Sequence, residues 1–231
     1  MDILGPIRRP IRDGLLEVTS DEKIKFLGQV EPQEAFILHK NAEWHRCYMW
    51  HGIWFTYYNI IPSPCHECFK VVVRPRNLDE LFALYTLQQK LDLPSKCGIE
   101  PRDTVDSLYG GYFYNDGLAM GRECYHIVRQ AVSEDISTEV DVYLKKSCTE
   151  FELEFGDSDK WEITPEQARL EERLNEAFIA PQLDGVPKPL RRARNVNIWI
   201  HWAAARGDKT YLNYVDKPLY PPPITYHEER E

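Results

Sequence analysis

The stretch from Phe69 to Leu91 leaves the chain little choice of local structure. FKVVVR is short, β-branched and stopped by Pro75, which predicts a strand over 69–74. Asn77 then stands in N-cap position with Glu80 three residues on. Leu78, Leu81, Phe82, Tyr85 and Gln88, flanked by Leu84, Leu87 and Leu91, spread an apolar face at helical spacing. That spacing predicts a helix over 78–91, ended at Leu93-Pro94. A strand leading into an amphipathic helix implies a sheet with helices packed on it, so the fold class is α+β.

Weaker patterns extend this frame. Residues 1–35 carry Pro6, Pro10 and Pro32 among scattered charges and are expected as a surface arm. The aromatic-dense stretch Trp44–Tyr58 suits two strands turning at His51-Gly52, the second running over 54–60 until Pro62 and Pro64 stop it. Gly110-Gly111 marks a bend. A helix over 116–132 would turn Leu118, Gly121, Tyr125, Val128 and Val132 inward. Alternation at Val140, Val142 and Leu144, and again at Phe151, Leu153 and Phe155, predicts two more strands, leaving Glu150, Glu152 and Glu154 on a solvated face. Thr164-Pro165 opens a third helix, closed by Pro181 near Ala180. The expectation is a small mixed or antiparallel sheet under three main helices in 36–180, with no internal repeat. A Pro- and Trp-rich, irregular extension over 181–231 would wrap the domain or a protein partner, with a short element of either type at Ile198–Ala205 and polyproline II at Tyr220-Pro221-Pro222-Pro223.

Six cysteines in 231 residues are too few for a secreted disulfide scaffold. Cys65-His66-Glu67-Cys68 is the chemically specific group, because a CxxC loop converges two sulfurs on one point. A dithiol redox pair wants the motif to open a helix whose N-terminus lowers the first thiol's pKa. Here a strand follows, which favours a metal. Strand 69–74 carries the chain out by roughly 20 Å and helix 78–91 returns it by roughly 21 Å. Cys97 is therefore expected as the third ligand, beside Gly98, which permits close backbone approach. Cys47 is the natural fourth, with His45, His66, Cys124 or Cys148 as substitutes. The plain alternative for each lone cysteine is a small buried core residue.

Structural zinc prefers two CxxC knuckles or a CxxC with paired histidines, whereas an iron–sulfur cluster tolerates irregular spacing because it spans several ångströms itself. The order C-x17-C-x2-C-x28-C resembles, in spacing alone, the cluster domains of iron–sulfur helicases; no Walker motif accompanies it. The expected centre is a [4Fe–4S] cluster, with Zn2+ as the alternative, organising residues 44–100. The aromatic rings of 44–58 would form its water-excluding shell.

A net charge of −9 and a pI near 5.4 argue against a general nucleic-acid coat. No run is long enough to span a bilayer, and Met1–Pro6 lacks the features of a secretory signal, so a cytoplasmic location is expected. No GxxxxGK[ST], HExxH, GxSxG or GxGxxG motif occurs. Arg122, His126 and Arg129 share one helical face and suit either an anion or solvent. Arg191, Arg192 and Arg194 near Trp199 and Trp202 suit an acidic protein partner better than nucleic acid. Arg206-Gly207-Asp208 spells an adhesion tripeptide, which in a chain expected to be intracellular is a chance match. The resulting expectation is an accessory metalloprotein with a structural or electron-transfer role. Its alternatives are a thiol enzyme using Cys65 or Cys68 with His66 or His126 as base, and a metal-free interaction domain.

Overall fold

The structure, a computed structural model, describes residues 2–27, 36–42, 44–179 and 188–223, and of residues 44–46 and 188 the backbone alone. Its centre is a five-stranded sheet built from β3 (Ile37–Lys40), β4 (Cys68–Arg74), β5 (Ser95–Ile99), β6 (Tyr109–Asp116) and β7 (Asp141–Lys146). The spatial order is β3-β5-β6-β4-β7 and every pairing is antiparallel. Two long helices, α5 (Leu78–Leu91) and α6 (Leu118–Asp135), interleave with these strands as β4-α5-β5-β6-α6-β7. This is the split β-α-β arrangement, in which the first and third of the four strands lie side by side at the centre.

Side-chain alternation along β4 divides the molecule. Val71 and Val73 point to the helices and join Leu81, Leu84, Phe113, Val128 and Val132 in the main core. Cys68, Lys70, Val72 and Arg74 have the opposite parity and belong to the other face. Asn77 caps α5 as expected, its Oδ1 accepting from the Glu80 amide at 3.0 Å. Gly111 lets α5 sit directly on β6, since a Cβ there would lie 2.4 Å from a Leu84 methyl.

Gly98 does permit a close backbone approach, but the backbone is that of the edge strand. A Cβ on Gly98 would stand 2.1 Å from the Phe36 carbonyl oxygen, and backbone cannot step aside as a rotamer can. Gly98→Ala is expected to cost about 2–4 kcal/mol, read as a lower urea midpoint. Gly52→Ala, with nothing within 4 Å of its Cβ, is expected to leave the midpoint unchanged or slightly raised.

Several expected elements take another form. Residues 44–58 are helical throughout: α2 (Trp44–Met49), a π-helical segment Trp50–Phe55, then α3 (Thr56–Tyr58). The β-propensity of aromatic side chains yields here to packing, because Ile53 and Trp54 fill a second core while Trp50 and Phe55 fill a third. The segment 151–155 is also helical, within α7 (Thr149–Phe155). Phe151 is buried and Phe155 packs beside it one turn on, while Leu153 is 68% exposed. The operative spacing is i,i+4 rather than two.

The described N-terminal residues, 2–27, are folded. α1 (Arg8–Arg12) and the antiparallel pair β1 (Leu16–Val18) and β2 (Ile24–Phe26) bury Ile7, Leu16 and Ile24 against Trp54, Leu174 and Phe178. The third expected helix is α8 (Pro165–Ala177), whose cap Thr164 accepts from the Gln167 amide at 3.2 Å. Beyond it, α9 (Lys188–Ala205) is an 18-residue helix that sends Trp199 and Ala203 into the main core. Residues 221–223 are exposed and without regular structure.

Candidate metal centre

The site grows from the start of β4, on the face away from α5 and α6. A short helix, α4 (Ser63–His66), delivers Cys65, and its first turn is held by α8. Both oxygens of Glu171, itself buried, accept from the Ser63 amide at 3.1 and 3.0 Å, and Gln167 Nε2 donates to the Ile61 carbonyl at 2.7 Å. The turn after it is fixed from two sides: the Gly117 amide donates to the Glu67 carbonyl at 2.7 Å and the Ser147 amide to the Cys68 carbonyl at 2.8 Å. The CxxC loop is therefore tied to three separate parts of the chain.

β7 brings the next thiol. Its pairing of Lys146 with Phe69 sets Ser147 opposite Cys68, and Cys148 follows at once. Lys70 Nζ donates to Cys148 Sγ at 3.0 Å and lies 5.8 Å from the centre of the Tyr114 ring. Cys47, on α2, completes the group. Each of Cys47, Cys65, Cys68 and Cys148 lies within electrostatic reach of the other three and of Lys70. All are free thiols. Ile61, Phe151, Trp50, Phe55, Phe155 and Trp161 pack around Cys65 and Cys148, so two of the rings from 44–58 do belong to the apolar shell.

The electrostatics follow from crowding. Burial pushes the Cys65 thiol far above its usual range, and Cys148, Cys68 and Cys47 push it the same way. Cys68 is pushed up to about 11 by burial, with Lys70 opposing and Cys148 adding to the shift. Cys47 is exposed as a residue, yet its thiol too is raised, by surrounding protein mass and by Cys148, with Lys70 opposing. Lys70 runs against its own burial: only 9% exposed, it is held protonated well above the normal lysine value by Cys148, Cys68 and Tyr114. Among the described residues no carboxylate forms an ion pair with it.

Raised thiols are poor nucleophiles. In metal-free protein, alkylation of Cys68 is expected to be slow at neutral pH. Its rate should rise about tenfold per pH unit while pH stays below about 11, because only the thiolate reacts. Iodoacetamide labelling followed by mass spectrometry checks this.

Cys97 is not in the group. It lies in the cross-strand row Leu38–Cys97–Gly111–Val73–Val142, whose side chains face the helices, and its Sγ donates to Gln88 Oε1 at 3.2 Å. Cys68 is on the opposite face and five residues further along β4, roughly 17 Å away along the strand alone. The outgoing strand and returning helix do have compensating lengths. β6, however, inserts between β4 and β5, and the parity is wrong. Cys124 is likewise a core residue, 6% exposed on the inner face of α6. The side chain of His45 lies outside the described residues. His66 is buried and packs edge-on to Trp161, 6.1 Å between ring centres.

The other flagged residues have plainer roles. Arg122 and His126 are exposed, and Arg129 donates to the Val140 carbonyl at 3.0 Å, tying α6 to the start of β7. Arg192 lies over Tyr85 at 5.2 Å, and Trp199 Nε1 donates to the Phe36 carbonyl at 2.8 Å, so that tryptophan is not free to stack on a base. Asp208 accepts from the Leu78 amide at 2.7 Å, from the Tyr109 hydroxyl at 2.6 Å and from Thr210. It secures the start of α5 and leaves no adhesion motif on offer.

Among the described residues no three His, Cys, Asp or Glu side chains are gathered tightly enough to hold a single metal ion. The four thiols thus form a loose group rather than an ion-sized pocket. No helix there is long and apolar enough to cross a membrane. No protein-family model, curated protein or solved structure matches the chain.

Proposed function

We propose that Cys47, Cys65, Cys68 and Cys148 ligate an iron–sulfur cluster of the [4Fe–4S] type, and that the protein is an accessory metalloprotein in which this centre is structural or passes single electrons. The observation that carries the proposal is that Cys148 accepts from the buried Lys70 ammonium, that Cys47, Cys65 and Cys68 lie within electrostatic reach of both, and that no carboxylate pairs with this ammonium among the described ion pairs. A buried ammonium is stabilised by negative charge placed beside it. A cluster held by four thiolates is anionic and would supply that charge, while Lys70 gives one sulfur a hydrogen bond.

Zinc needs its four sulfurs at about 2.3 Å from one point, and no three ligating side chains among the described residues are gathered for a single ion, whereas a cluster brings several ångströms of its own bulk. The aromatic shell suits a centre shielded from water. A thiol enzyme fits less well, because a nucleophilic cysteine needs a lowered pKa and Cys65 and Cys68 are raised.

The reading is tested on anaerobically purified protein by visible absorption before and after dithionite. A broad brown charge-transfer band that bleaches on reduction is expected; a colourless sample that dithionite leaves unchanged would defeat it. Lys70 supplies a finer test. A unit charge several ångströms away, at an effective dielectric of about 20, is worth on the order of 2–3 kcal/mol. For a one-electron couple this is on the order of 100 mV. Lys70→Gln is expected to lower the midpoint potential by about that amount, because the ammonium favours the more negative, reduced state.

A further inference from the structure

The face of the sheet that carries the thiols continues beyond them as a basic, tyrosine-lined surface. On β4 Arg74 shares the parity of Lys70; Lys96 on β5 and Tyr143 and Lys145 on β7 lie on the same side. They surround a cavity of about 50 Å3, room for a few waters or for one tetrahedral oxyanion.

Two of the surrounding cations are already neutralised. Arg102 is paired with Glu100 at 2.6 Å and Glu150 at 3.0 Å, and Lys145 with Glu152 at 2.6 Å. The others meet no carboxylate among the described ion pairs. Arg74 donates through Nε and Nη2 to the Tyr143 hydroxyl at 3.0 and 2.7 Å, and Lys96 lies 5.1 Å above the Tyr112 ring. Lys70 reaches Cys148.

Ser147 adds an independent sign. It lines the same cavity, is 1% exposed, and its hydroxyl has no hydrogen-bond partner. An unsatisfied buried hydroxyl costs about 1–3 kcal/mol, and like-charged side chains converging on one cavity repel. An oxyanion removes both penalties. It accepts from the hydroxyl and balances the cations, in a protein whose overall charge of −9 would otherwise repel it.

We propose that the cavity between Arg74, Lys96 and Ser147 binds an oxyanion of the phosphate class. The site goes beyond the cluster reading and does not require it, although Cys148 lines the same cavity. Free phosphate and the phosphodiester of a nucleic-acid strand present the same chemistry.

The test is thermal unfolding and calorimetry of the full chain with sodium phosphate against sodium chloride at matched ionic strength. Phosphate is expected to raise the midpoint by a few degrees. Lys96→Gln and Arg74→Gln are each expected to weaken phosphate binding by about tenfold, with the visible spectrum and iron content unchanged. The unchanged spectrum separates this site from the metal centre. A single-stranded oligonucleotide forms the second arm. Binding much tighter than that of phosphate, lost in Lys96→Gln, assigns the site to a phosphodiester backbone; phosphate binding without oligonucleotide binding assigns it to the free anion. No phosphate-specific stabilisation, or stabilisation equal in wild type and both variants, would overturn the proposal.

Discussion

Cys148→Ser is expected to lower the iron bound per chain to below about one tenth of the wild-type level, while Cys97→Ser leaves it intact. The contrast follows from the sheet. Cys148 leaves β7 directly beside Cys68, bonds Lys70 and packs with Cys65. Cys97 faces α5, fully buried, with Gln88 as its hydrogen-bond partner. A serine at 97 keeps a donor for Gln88 and should cost no more than about 1–2 kcal/mol of stability. Iron and sulfide assays on both variants, with far-ultraviolet circular dichroism to confirm folding, give the answer. Equal iron in wild type and Cys148→Ser would remove that residue from the ligand set; loss in Cys97→Ser with the fold preserved would restore the set expected from spacing.

The second large effect is on stability. Trp199→Ala is expected to cost about 3–5 kcal/mol, seen as a lower urea midpoint with little change in slope. Trp199 has no exposed surface, contacts Phe82 and Tyr85 of α5, and donates to the Phe36 carbonyl at the start of β3. It joins the C-terminal helix to both a core helix and the sheet edge. Leu190→Ala, at a site 63% exposed on the same helix, should change stability by less than about 0.5 kcal/mol. If Trp199→Ala were equally mild, α9 would be an appendage rather than part of the core.

These two cases mark what could be read from the amino acids alone. The strand at 69–74, the capped helix at 78–91 and the Thr164-Pro165 helix start were legible because propensity, capping and spacing agree there. Residues 44–58 were not. Their aromatic content favours strands, and only the two cores on either side make a helix with a π-helical segment the better solution. At 149–155, apolar residues at alternate positions are compatible with both periods. The outcome depends on Ser147, whose φ of 49° turns the chain out of β7.

The thiol group was half legible. The CxxC pair announces itself, and Cys47 precedes it in the aromatic stretch. Which further thiol joins them depends on strand order. Element lengths carry no information about which strand lies next to β4 or which face a side chain takes. An antiparallel pairing of 140–146 with 69–74 would have been the needed signal, since it brings the end of one strand to the start of the other and Cys148 to Cys68. Lys70 and the other cations of that face were concealed for a related reason. They are dispersed over β4, β5, β7 and a loop, so no local run reveals them.

The central claim is that four thiols from α2, the CxxC turn and the end of β7 share one sulfide-bridged iron centre. Iron, acid-labile sulfide and zinc measured together on anaerobically purified protein test it most directly. About four iron and four sulfide per chain, with negligible zinc, are expected for a [4Fe–4S] centre. One zinc per chain without sulfide, or metal-free protein in which Cys47, Cys65, Cys68 and Cys148 all titrate as thiols on denaturation, would contradict it.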